Sequence, residues 1–166
     1  MGWNTSVVLI EGQSVAQVKK AIPDVFTVTK RVVGWEDASS SALYPGGAIG
    51  EIAGWVALWT SNTQIIMFEE FLESVSSGGR TIVCIQSSVS TIHGLIVYEK
   101  GKHRRTLVRE NYEVVADAGD PLPSEAGISW EDDESDVFEI VRQLTGVDVP
   151  DWETWSNVKF TVVEFG

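Results

Sequence analysis

At 166 residues with 43% hydrophobic content, the chain is long enough to bury one sizeable core, and no stretch approaches the ~20 apolar residues of a membrane-spanning helix. The formal net charge is −12, and all of it lies in the last third: residues 1–111 carry ten acids and ten bases, residues 112–166 fourteen acids against Arg142 and Lys159. That layout excludes a broad basic face for nucleic acid, and a lone cysteine excludes an internal disulfide.

The N-terminus has no basic region leading into a long apolar run, so the chain is expected in the cytoplasm, with no membrane partner. Gly2 and Ser6 match the short myristoylation pattern, but a strand is expected to start within it, and the match is set aside. Residues 5–10 (TSVVLI) read as a strand. Ser14 and Gln17 then form a capping box for a short helix with Val15, Val18 and Ile22 at helical spacing. Lys19 and Lys20 suit its last turn, and Pro23 ends it. Residues 26–33 return as a strand with Phe26, Val28 and Val32 inward. The unit 5–33 is thus strand, helix, strand.

Residues 34–54 read as a long connection holding SSS and a Tyr-Pro-Gly-Gly turn, with Trp35 and Tyr44 as anchors to the core. A second strand–helix–strand unit spans 54–87. Its strand is WVALW at 55–59. Its helix falls within 64–76, capped from Ser61, Asn62, Thr63 and Gln64 and stopped by Gly78 and Gly79. Its second strand is TIVCI at 81–85.

A meander follows over 80–116. The strands at 81–85 and 92–98 are apolar on both faces, which places them mid-sheet under cover on each side. Gly101 supplies the positive φ of a tight hairpin, and the strand at 102–109 is wetter, with arginines on both faces. Cys84 is a buried, inert thiol, and His93 a hydrogen-bonded core histidine. Residues 112–116 add a short strand, and the prolines after residue 120 keep that stretch out of the sheet. The acid run 131–136 precedes a helix over 137–144, with Asp136 and Glu139 at its start and Thr145-Gly146 at its end. Residues 151–155 form a turn or short helix, and 158–165 the last strand.

The expected fold is α+β: a single domain over 1–166, built on a mostly antiparallel mixed sheet of about 6–8 strands with three short helices packed on it. The segments YEKGKHRR, GDPLPSEAGISWEDDE and FEIVRQLTGVD resemble a pattern in small uncharacterised bacterial α+β proteins. The resemblance covers the second half, implies a bacterial α+β domain, and brings no catalytic residue with it.

No Walker loop, nucleophile elbow, zinc spacing or dinucleotide fingerprint is present, and an EF-hand register on the acid run fails at its sixth and twelfth places. Neither a catalytic residue, nor a metal site, nor a cofactor is expected. The leading expectation is a non-enzymatic binding protein of the immunity or antitoxin kind. It would engage a basic protein partner through an acidic, Trp-rich surface made of Trp130, Glu131, Asp132, Asp133, Glu134, Trp152 and Trp155. The alternative is a small-ligand sensor or enzyme with an anion site at Lys102, Arg104, Arg105 and Arg109. Equally, the basic hairpin could pack near the acidic third and offset it, the option the charge asymmetry favours.

Overall fold

The structure, a computed structural model, describes residues 3–61 and 64–166. Gly2 of the myristoylation pattern and the cap residues Asn62 and Thr63 lie outside the described residues.

One nine-stranded sheet, antiparallel at every pairing, organises the molecule. Its strands are β1 (Asn4–Ile10), β2 (Phe26–Val33), β3 (Gly47–Ile52), β4 (Trp55–Thr60), β5 (Arg80–Ser87), β6 (Ile92–Glu99), β7 (Lys102–Glu110), β8 (Glu113–Ala118) and β9 (Phe160–Phe165). They lie in the order β2-β9-β3-β4-β1-β5-β6-β7-β8. The helices are α1 (Val15–Ala21), α2 (Trp35–Ala38), α3 (Glu69–Val75), α4 (Asp133–Thr145) and α5 (Trp152–Trp155).

Both faces of the sheet are covered. On one, α1 and α3 bury Val18, Ile22, Phe71, Leu72 and Val75 against Val8, Ile10, Val56, Leu58 and Val83. On the other, α2, α4 and α5 bury Ala38, Phe138, Val141 and Trp155 against Val7, Leu9, Ala57, Trp59, Ile82 and Cys84. The central strands β4, β1 and β5 are therefore apolar on both sides, which is why they read as continuous rather than alternating hydrophobic runs.

The local chemistry follows the residues closely. The Ser14 hydroxyl accepts from Gln17 N at 3.1 Å, and Gln17 Oε1 accepts from Ser14 N at 2.7 Å, closing the capping box on α1. Lys100 and Gly101 both take positive φ, 50° and 79°, the hairpin geometry that matches strand twist. Gly146, at φ 75°, ends α4 in the left-handed conformation, its N–H bonded to Arg142 O. Burial pushes the Cys84 thiol up to about 12.

Several expectations are corrected. The sheet has nine strands rather than six to eight, because the expected connection 34–54 contains α2 and β3. β3 carries Gly50 for a steric reason: a Cβ there would lie 2.7 Å from Lys159 O and 2.8 Å from the Phe160 ring on the adjoining strand β9. In both strand–helix–strand units the two strands lie apart in the sheet. β1 inserts between β4 and β5, and β9, β3 and β4 separate β2 from β1. A register shift in the β2–β9 pair between Val28 and Val32 turns Val32 outward and Val33 inward. Ahead of α3, residues 65–67 form a 3-10 turn, so that helix starts at Glu69. α4 begins at Asp133, not at 137: Asp132 is the cap, its carboxylate accepting from Ser135 N at 3.3 Å. Among the described residues, no helix is long and apolar enough to cross a membrane.

Candidate binding surface

Strand register aligns three polar side chains beneath the start of α4. Gln86 on β5 pairs with His93 on β6, which pairs with Arg109 on β7. Gln86 Nε2 donates to Glu134 O at 3.2 Å, which leaves its Oε1 to accept from His93 Nδ1. The network thereby places an imidazole proton on Nδ1. Arg109 Nε donates to Asp133 Oδ1 at 3.0 Å and Nη2 to Tyr112 O at 2.8 Å, while its guanidinium lies 4.9 Å from the Trp130 ring centroid. Asp133 is buried, and its Oδ2 has no partner among the described residues.

These side chains border a cavity of about 190 Å³ lined by Ser88, Thr91, His93, Tyr112 and residues 132–134. Ser88 donates to Glu134 Oε1 at 2.7 Å, so this hydroxyl is held by a carboxylate and not by the imidazole. The hydroxyl–imidazole pair of a serine nucleophile and its base is not assembled between Ser88 and His93. Among the described residues, no group of three or more His, Cys, Asp or Glu is placed to hold a metal ion.

Ser88 also links this cavity to a second feature. Its Oγ accepts from Trp3 N at 2.9 Å, and its N–H donates to Trp3 O at 2.7 Å. The Trp3 ring packs on Trp35, Trp59 and Phe138, with centroids 5.6–6.3 Å apart. Beyond it opens a cleft of about 680 Å³ lined by Trp3, Asn4, Trp35, Trp152, Pro150, Glu36 and the serines at 39–41. The start of α4 and this cleft are therefore contiguous.

The expected partner-binding residues divide between surface and interior. Glu131, Asp132 and Trp152 are exposed, and Glu134 and Trp130 half-buried. Asp133 is buried in its pair with Arg109. Trp155 is a core residue: it is fully buried, stacks on Trp35 at 6.3 Å, and donates its indole N–H to Val149 O at 2.9 Å. Its place on the expected surface is corrected accordingly, because α5 turns Trp152 out and Trp155 in.

The expected anion site is broken up. Arg105 is buried and directs all three of its nitrogens inward. Nε and Nη2 meet the Glu125 carboxylate at 2.9 and 2.8 Å, and Nη1 meets Asp117 and the carbonyls of Ala118 and Gly119. The Glu125 carboxylate beside it raises its pKa further, with Asp117 adding to the effect. Arg109 is committed to Asp133, so of the four only Lys102 and Arg104 remain exposed, beside Glu99 and Asp120. The basic hairpin and the acidic third are in contact, and Arg105 and Arg109 of β7 are each offset by acids from beyond residue 112.

Sequence reasoning missed the cleft, because its residues come from three distant segments. The high tryptophan content, seven in all, was the one signal of it. Compared with known protein families, with curated proteins and with solved structures, the chain finds no match.

Proposed function

We propose that this chain is a non-enzymatic binding protein that engages a basic protein partner, in the manner of immunity and antitoxin proteins. Its contact surface would run from Glu131, Asp132 and Glu134 across Trp3 to Trp35, Glu36 and Trp152. One observation carries the reading: buried Arg105 and half-buried Arg109 of β7 consume only Asp117, Glu125 and Asp133. Of the other acids at the start of α4, Glu131 and Asp132 are exposed and Glu134 half-buried, near a tryptophan-lined cleft. A localised negative field steers a basic partner and excludes acidic ones, while large aromatic side chains supply the contact energy.

The test is affinity capture from a lysate of the native host, comparing wild type with Glu131→Lys/Glu153→Lys. Both glutamates are exposed, with no side-chain partner among the described residues, so the change alters charge and leaves packing alone. A basic protein held at low salt, released at high salt and lost with the variant is the expected result. Capture that is indifferent to salt and to the charge reversal would refute the reading.

A further inference from the structure

The cleft at Trp3, Trp35 and Trp152 has a composition that narrows what it takes. Its lining is indole, proline, hydroxyl and the Asn4 carboxamide, and Glu36 is the one charged side chain among the described residues that line it. Trp152 stands 57% exposed, and Trp3 and Trp35 are half-buried. An anion would meet Glu36 with no cation to receive it. A purely apolar ligand would cover the Glu36 carboxylate and leave it desolvated without a partner. A cation with an extended flat face satisfies both requirements: it stacks on indole and pairs with the carboxylate.

We infer that this cleft is the seat of a guanidinium group, an arginine side chain presented by the basic partner. The inference rests on the proposed partner reading and names the chemistry of its anchor. Arginine fits better than lysine because its planar guanidinium stacks on aromatic faces, meets a carboxylate through two parallel N–H bonds and sheds water more readily than an ammonium. The volume, about 680 Å³, lies in the range of ordinary ligand sites, about 300–1,000 Å³, and has room for flanking residues of the partner as well as the arginine. The cleft adjoins the acids at the start of α4 through the Trp3–Ser88–Glu134 bonds, so neighbouring basic residues of the same partner would meet those acids.

The test uses protein carrying ¹⁵N at the tryptophan indoles, titrated with three blocked tripeptides, acetyl-Gly-X-Gly-amide with X arginine, lysine or norleucine. The arginine peptide is expected to shift the Trp35 and Trp152 indole signals saturably in the millimolar range. The lysine peptide should bind several-fold more weakly and the norleucine peptide should leave the signals in place. Glu36→Gln should weaken the arginine peptide by about tenfold, the loss of one charge-assisted pair. No shift with the arginine peptide, equal shifts with all three, or no effect of Glu36→Gln would each overturn the inference.

The two claims fail separately. If a basic partner is captured and retained by Glu36→Gln and Trp152→Ala, the anchor and the cleft half of the contact surface are wrong, and a basic partner held by the acids at the start of α4 stands. If the arginine peptide binds as expected and no salt-sensitive basic partner exists, the partner reading fails and the guanidinium site stands.

Discussion

Replacing Glu125 by glutamine tests how the acidic third is fastened to the sheet. The Glu125 carboxylate bonds Arg105 through two oxygens and also accepts from Leu122 N at 2.7 Å. Arg105 is 2% exposed and Glu125 10%, so solvent cannot replace what is lost. Removing one partner of a buried pair leaves an under-compensated charge and costs about 3–5 kcal/mol. Asp117 still faces Arg105, which argues for the lower end, about 3 kcal/mol, a large share of the roughly 5–15 kcal/mol typical of a domain. With a urea m-value of about 2 kcal/mol/M, the midpoint of unfolding followed by tryptophan fluorescence falls by about 1.5 M at unchanged m. The double variant Arg105→Met/Glu125→Leu should recover much of that loss, because it removes the stranded charge along with its partner. A midpoint shift below about 0.5 M in Glu125→Gln would mean that Arg105 is hydrated, and would refute the buried network as the fastening.

Two further predictions concern α4 and the core. Asp132→Ala should cost about 1 kcal/mol as the loss of the α4 cap, while Glu131→Ala next to it should stay within about 0.5 kcal/mol; equal effects in urea unfolding would remove the cap assignment. Cys84 gives a pH signature. Burial raises its pKa from 9.0 to about 12, so above pH 9 the unfolded chain releases a proton that the native state holds, and stability falls with rising pH. Between pH 9 and 11, wild type should lose about 1.4 kcal/mol per pH unit more than Cys84→Ala, from thermal or urea unfolding at each pH; parallel profiles would contradict the burial of the thiol.

Much of the local structure was legible in the chain, because it depends on short-range chemistry. The Ser14–Gln17 box, the Gly101 hairpin, the Gly146 stop and the two-sided apolar strands β5 and β6 follow from neighbouring residues alone. What was hidden depends on distant partners. β3 has the composition of a loop because its glycines answer to Phe160 and Trp59 across the sheet. The insertion of β1 between β4 and β5 has no local signal, since it is a choice of pairing among similar apolar strands. Arg105 looked like a free cation until the 117–125 segment folded back on it. Trp152 and Trp155, three residues apart on one turn of helix, differ in exposure because Phe160, Trp59 and Trp35 enclose only the second.

The central claim is that the acids at the start of α4 and the adjoining tryptophan cleft form one contact surface for a basic protein. Backbone hydrogen–deuterium exchange, measured on the chain alone and with the captured partner, tests it most directly. The account predicts partner-induced protection at residues 35–41, 131–136 and 150–155 together. Protection confined to the hairpin at 99–104 or to the β2 edge, with those three segments unchanged, would contradict it.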